Sequence, residues 1–199
     1  MANLIIVTGE SGVGKTTFAN WLSEALNVKL ISVDHINETV YEMLGYKDRE
    51  EKRKLRDISF NLMYALLKEQ FRRNSNIIIE YPFGRENEKE ISKIADDFHV
   101  SIITLRFECP IEKLYARAVE RDSTDTTRHI THFVSSYPSK MNFEDRVSHS
   151  FDYYREKAEK RGVLNFELGK LIKVDASDLS SMTIEFYNKL LMCIKSELI

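Results

Sequence analysis

Eight residues near the N-terminus, Gly9-Glu10-Ser11-Gly12-Val13-Gly14-Lys15-Thr16, carry the spacing G-x-x-x-x-G-K-[ST]. That spacing suits a backbone cradle for phosphate groups. Glycine removes side chains where the chain must bend and approach a ligand closely. Successive N–H groups can then point inward at phosphate oxygens. Lys15 supplies a mobile cation for the outer phosphates, and the Thr16 hydroxyl is suited to Mg²⁺. Thr17 continues into a helix whose N-terminal end also favours an anion. Residues 9–17 are therefore the expected nucleotide-binding segment.

The other residues that could do chemistry are those expected to close strands, because open α/β sheets bind ligands beyond the carboxyl ends of their strands. The run from Lys29 to Val33 reads as a strand ending at Asp34. A carboxylate there can take a proton from an attacking hydroxyl or reach a metal through water. Standing before a helix, it can equally be an N-cap. His35, next in the chain, is read as a substrate contact. Glu80 closes a further strand after Ile77-Ile78-Ile79, where a carboxylate would hold Mg²⁺ or its waters. Asp is the usual residue there. Glu reaches farther and could act on substrate or as a base, or it could simply be an exposed strand end. Arg85, in the following loop, could bind an anionic acceptor or face solvent.

Arg117 and Arg121 are one helical turn apart and share a face. Aimed at one site, they would neutralise charge on a transferring phosphate, with Arg128 as a third cation. The plainer reading pairs them with Glu120, Asp122 or solvent. His129 and His132 are three residues apart, but no further ligand is spaced to complete a metal site, so polar contacts read better.

These residues need elements to hold them. Leu4-Ile5-Ile6-Val7 reads as a buried strand ahead of the glycine loop. Phe18, Leu22, Ala25 and Leu26 form the apolar stripe of the helix after it. A short helix is expected over Ile36 to Leu44. A long one is expected over Asp48 to Arg73, with Leu55, Ile58, Leu62, Leu66 and Phe71 inward; its mixed charges from Lys47 to Arg56 read as a solvated face. Glu86 to Phe98, Pro110 to Arg121 and Met182 to Leu198 are further helices, and Val100 to Phe107 and Leu171 to Val174 further strands. The stretch from Asp122 to Lys140 breaks the rhythm. After it, Asn142 reads as an N-cap with Asp145 in support, for a helix carrying Phe143, Val147, Phe151, Tyr154 and Ala158 that ends at Gly162. Strands alternating with helices predict an α/β fold: about five parallel strands in a sheet covered on both faces.

The 199 residues and formal net charge of −2 are those of an ordinary globular domain. They give no reason to expect a nucleic-acid or membrane partner. Neither a leader nor a long apolar span is expected. Cys109 and Cys193 lack metal-ligand spacing and read as buried free thiols, which suits the cytoplasm.

The loop resembles that of the P-loop NTPases, and the order of elements resembles their small kinases. That group includes nucleoside monophosphate kinases, shikimate and gluconate kinases, and chloramphenicol phosphotransferase-like proteins. The resemblance implies a three-layer fold with sheet order 2-3-1-4-5. It also implies that Asp34 contacts the acceptor, that the R-x-x-x-R pair Arg117 and Arg121 opens a lid, and that Asp175-Ala176-Ser177 flank the adenine. The chain departs from the group in having Tyr81-Pro82-Phe83 rather than a Gly-Gly after the third strand. It also lacks the lid cysteines of some adenylate kinases.

The reading is a single domain over residues 1–199, with an acceptor-binding region at about 34–75 and a lid-like insertion at about 122–140. ATP and Mg²⁺ are the expected cofactors and a small molecule is the expected acceptor; the oligomeric state is open. Lys15, Asp34, Arg117 and Arg121 are the expected catalytic residues, Thr16 and Glu80 the metal-binding pair, and Asp34, His35, Arg85 and Arg128 the substrate contacts. The rival reading is a nucleotide-dependent regulatory ATPase, although no Asn-Lys-x-Asp for guanine is present. A kinase acting on RNA ends is a weaker third.

Overall fold

A continuous apolar run makes the first strand serve two cores at once, because successive strand side chains leave opposite faces of a sheet. The computed structural model describes residues 2–142, 146 and 150–198. In it, β1 (Asn3–Gly9) is buried along its whole length. Leu4 and Ile6 enter one apolar cluster, and Ile5 and Val7 the other. β3 (Ile77–Glu80) divides the same way, with Ile77 and Ile79 on the first side and Ile78 on the second. Each such fully buried side chain contributes about 1.5–3 kcal/mol.

β1 pairs in parallel with β3 on one side and β4 (Ser101–Glu108) on the other. β2 (Lys29–Ser32) and β5 (Lys170–Asp175) form the edges, giving the order β2-β3-β1-β4-β5. This is the parallel order expected. On one face, α3 (Arg49–Arg72) and α4 (Arg85–Phe98) supply Phe60, Met63, Leu67, Ile91 and Ile94. On the other, α1 (Lys15–Leu26), α5 (Ile111–Thr124) and α7 (Ile184–Glu197) supply Phe18, Leu22, Leu114 and Ile194. Two further helices are α2 (Val33–Leu44), which follows β2 directly, and α6 (Phe151–Arg161). No helix among the described residues is long and apolar enough to cross a membrane.

Four local expectations need correction. β2 stops at Ser32 and Val33 already begins α2, so Asp34 lies in the first turn of that helix rather than at a strand end or N-cap; Ser32 is the N-cap. The buried face of α3 is carried by Ser59, Phe60, Met63, Leu67 and Phe71, while Ile58, Leu62 and Leu66 are 44%, 46% and 45% exposed. Phe60 settles the rotation of the helix, because its ring packs edge-on against Tyr81 and beside Phe83 at the end of β3. α6 starts at Phe151 with the Ser150 hydroxyl accepting from the Tyr153 amide; the expected support from Phe143, Asp145 and Val147 lies outside the described residues. Both cysteines are free, as expected, but Cys193 is exposed and Cys109 only half-buried.

Candidate active site: the loop, Glu80 and the cations around them

The glycine loop occupies the turn between β1 and α1. Gly14 is the helix N-cap, at φ +81°, a left-handed conformation that glycine adopts without a Cβ penalty. No side chain caps α1 and no acidic residue stands in its first turn, so its leading N–H groups and dipole face the loop unneutralised.

Lys15 and Thr16, the first residues of α1, turn toward Glu80. The Lys15 Nζ lies 3.3 Å from Glu80 Oε1, and the Thr16 hydroxyl donates to the same oxygen at 3.1 Å. The Ser32 hydroxyl donates to Oε2 at 3.0 Å. Glu80 is only 1% exposed. It sits level with Val7 of β1 and Ser32 of β2 in the sheet register, so three adjacent strands hold it beside the loop. A buried carboxylate needs such partners, since an unpaired one would cost several kcal/mol. Among the described residues no three His, Cys, Asp or Glu side chains gather to cage a metal. A hydroxyl and one carboxylate together do suit Mg²⁺, which takes one or two carboxylates and completes its shell with phosphate oxygens and water.

Glu10 is also buried, at 6% exposure. Its Oε2 accepts a short hydrogen bond from Arg161 Nη1 at the end of α6, while Oε1 is buried without a partner among the described residues. Burial raises the Glu10 carboxyl above the ordinary range, with Arg161 and then Lys15 opposing it. α6 is seated here by close backbone approach: a Cβ on Gly84, ahead of α4, would lie 2.2 Å from the Arg161 carbonyl oxygen.

The arginine pair on α5 divides its work. Arg121 donates to Ser11 Oγ at 3.2 Å and so reaches the loop. Arg117 donates instead to the carbonyls of Ala176 and Ser177, at 2.8 and 2.9 Å, and thereby ties down the loop after β5. Arg128 pairs with Asp122 and lies 4.9 Å from the Phe133 ring centre.

The segment after α5 lies across α2. His129 and His132 meet Glu42 and Glu38 of α2, each at 2.9 Å. Both imidazoles thus face carboxylates of α2. Lys52 of α3 donates to the carbonyls of Thr131 and Val134, and Tyr46 and Tyr137 exchange backbone hydrogen bonds.

Asp34 is half-buried and forms no hydrogen bond or ion pair with another described residue. It stands close enough to the Tyr81 and Tyr41 hydroxyls to help hold them protonated, although burial is the larger cause for both. His35 and Arg85 are exposed, and neither joins this group. Sequence reasoning missed Arg56, Lys157 and Arg161. Arg56 and Arg161 both act electrostatically on Tyr81, next to Glu80, and Lys157 acts on Glu10. Lys157 and Arg161 share a helical face by their i,i+4 spacing, a signal present in a helix read only for its apolar stripe.

Residues 4–136 match a family model described as an AAA domain. The chain belongs to that family. It is also 29% identical over 180 residues to a cytidylate kinase of Sulfurisphaera tokodaii, a match covering 85% of this chain and 99% of that protein. Among solved structures, a protein of Chloroflexus aurantiacus described as a candidate kinase matches with a TM-score of 0.79 and 22% identity, over 100% of this chain and 99% of that one. A gluconokinase of Sinorhizobium meliloti matches with a TM-score of 0.56 and 13% identity, over 98% and 94%. A shikimate kinase of Bacteroides thetaiotaomicron matches with a TM-score of 0.53 and 17% identity, over 98% and 97%. At these identities the structural likenesses establish the fold of the small P-loop kinases.

Proposed function

We propose that this protein is an ATP- and Mg²⁺-dependent phosphotransferase acting on a small-molecule hydroxyl or phosphate acceptor in the cytoplasm. One observation carries the reading: Lys15 and Thr16 of the phosphate loop and Ser32 at the end of β2 converge on the buried Glu80. That convergence joins a phosphate-holding loop to the strand end from which Asp34 follows two residues later. The S. tokodaii relative, a cytidylate kinase by description, supports the same class.

In this reading, residues 9–17 hold the triphosphate. Thr16 and Glu80 would hold Mg²⁺, which would neutralise phosphate charge, and bound ATP would supply the phosphoryl group. Lys15 and Arg121 oppose the charge that spreads over the transferring group. Arg117 fixes the loop expected to flank the adenine. Asp34 accepts the acceptor proton or orients the hydroxyl. The acceptor region spans about 34–75, and the segment 122–140 covers the site and excludes water, which suppresses hydrolysis.

The test is a transfer screen with labelled ATP and Mg²⁺ against nucleosides, nucleoside monophosphates, sugars, small acids, antibiotics and RNA. Transfer to one small-molecule class, abolished by Lys15→Ala, is the expected result. Partner-stimulated ATP hydrolysis with no transfer to any acceptor would overturn it in favour of a regulatory ATPase.

A further inference from the structure

Glu10 is a buried acid that the proposed reaction leaves unused. It stands inside the phosphate loop, between Gly9 and Gly12, and is 6% exposed. The amides of such a loop favour an anion, so a second anion buried among them is unfavourable once the loop is filled. Arg161 Nη1 donates to Oε2, whereas Oε1 is buried without a hydrogen-bond partner among the described residues. A carboxylate oxygen shut away from water and left unpaired is destabilising.

Charged and titratable groups face Glu10 from three helices. Tyr154, Lys157 and Arg161 stand at i, i+3 and i+7 on one face of α6. Lys15 of α1 acts on Glu10 while paired with Glu80. Arg121 of α5 donates to Ser11, the next residue in the loop. The Tyr154 hydroxyl is also buried without a described partner; burial and then the Glu10 charge hold it protonated, with Arg161, Arg121 and Asp122 acting on it as well. Burial lifts the Glu10 carboxyl above its ordinary range even with Arg161 and Lys15 opposing. Phosphates in the loop would add negative charge beside it and compete for Lys15, and both changes disfavour the ionised form.

We propose that Glu10 is a proton-linked positioning residue: ionised in the free protein, it holds Arg161 and with it α6 against the loop, and it takes up a proton when a nucleotide's phosphates fill that loop. The proposal rests on the kinase reading for the nucleotide and adds a residue whose charge state follows its arrival. The proton comes from solvent and goes to Oε1, the oxygen without a partner. Oε2 goes on accepting from Arg161, so α6 stays seated. One negative charge is removed from beside the phosphates, and an unpaired acceptor becomes a donor. The bound state then carries more protons than the free one. Nucleotide affinity therefore rises as pH falls, by at most roughly tenfold per pH unit, until Glu10 is protonated in the free protein too.

The experiment titrates the full chain with a non-hydrolysable ATP analogue and Mg²⁺ by calorimetry. It is run at about pH 6, above the ordinary carboxylate range, in phosphate-free buffers of different ionisation heats. The dependence of the observed heat on buffer heat counts the protons taken up. Glu10→Gln keeps a carbonyl for Arg161 but cannot titrate. Protons exchanged by the analogue itself are common to both chains and cancel in the difference. Wild type is expected to take up a larger fraction of a proton than Glu10→Gln, and to lose more affinity as pH is raised. A purely structural Glu10 would move neither readout. Thermal unfolding shows that each variant is folded, and Glu10→Ala stands in should Glu10→Gln not fold. Equal proton counts in wild type and variant would overturn this proposal alone, because the analogue has bound. Failure of the analogue to bind wild type would overturn the kinase reading and this proposal with it.

Discussion

Lys15 and Glu80 form a buried ion pair across 3.3 Å, the lysine from the phosphate loop and the carboxylate from the end of β3. With Thr16 and Ser32 also on Glu80, one carboxylate ties α1, β2 and β3 together. Glu80→Ala would leave the Lys15 charge uncompensated and should lower stability by roughly 3–5 kcal/mol, measured by urea unfolding. Glu80→Gln keeps the shape and some hydrogen bonding. It should raise the Mg²⁺ concentration needed for half-maximal turnover by roughly 10–100-fold. An unchanged Mg²⁺ dependence would remove Glu80 from the metal site.

Asp34 sits in the first turn of α2 with no described hydrogen-bond partner, so its carboxylate is available to substrate. Asp34→Asn should reduce kcat by roughly 10²–10⁴ and leave ATP affinity unchanged. Full transfer activity in that variant would show that no proton or acceptor contact depends on Asp34.

Arg117 and Arg121 should behave differently despite their shared helical face. Arg117 holds the Ala176 and Ser177 carbonyls, so Arg117→Ala should raise the KM for ATP and cost roughly 1.5–3 kcal/mol of stability. Arg121 reaches Ser11, so Arg121→Ala should lower kcat with little loss of stability. Steady-state kinetics beside a melting curve separates them, and identical effects would contradict the division.

Lys52 lies 5.2 Å and 5.5 Å from the ring centres of Tyr46 and Tyr41. Burial, followed by repulsion from Lys157 and Arg49, lowers its pKa to about 8. Its folded pKa is thus depressed below the unfolded value, and the penalty for charging it is fully present below pH 8. Between about pH 8 and the unfolded value the unfolded chain binds more protons, so Lys52 should make stability rise with pH there. NMR titration of its side-chain carbons should give a midpoint near 8, and a midpoint like that of an exposed lysine would reject the shift.

The rotation of α3 can be tested by two neighbouring substitutions. Met63 is fully buried, and Met63→Ala should cost roughly 2–5 kcal/mol. Leu62 is 46% exposed, and Leu62→Lys should stay within about 0.5 kcal/mol of wild type in denaturant titrations. The reverse ranking would restore the stripe of Ile58, Leu62 and Leu66 to the core.

The parts of the molecule governed by local chemistry were readable from the chain. Gly9 to Thr16 specify a turn by backbone freedom, and the short runs Leu4-Ile5-Ile6-Val7 and Ile77-Ile78-Ile79 specify buried strands, so both emerged without tertiary information. The face of α3 did not. Two apolar stripes, Ile58-Leu62-Leu66 and Phe60-Met63-Leu67, run side by side on that helix, and only the aromatic contacts of Phe60 choose between them. The cations on α3 and α6 were visible as residues but not as a group. Arg49 and Arg56 stand in a mixed-charge run where pairing with nearby acids is the simplest expectation. Arg161 meets Glu10 from 151 residues away, a distance no sequence pattern encodes. Asp34 was marked for the right end of the sheet but assigned to the wrong element, since β2 yields to α2 with no intervening loop.

The two histidine–glutamate contacts on α2 carry a mechanical consequence. Glu38 and Glu42 are one turn apart on the same helix that carries Asp34, and His132 and His129 fasten to them from the segment above. Any movement of that segment away from α2 must either break both fastenings together or carry α2 along with it. Under the proposed kinase reading, where the segment covers the site and Asp34 addresses the acceptor, the two would then move on one lever rather than two.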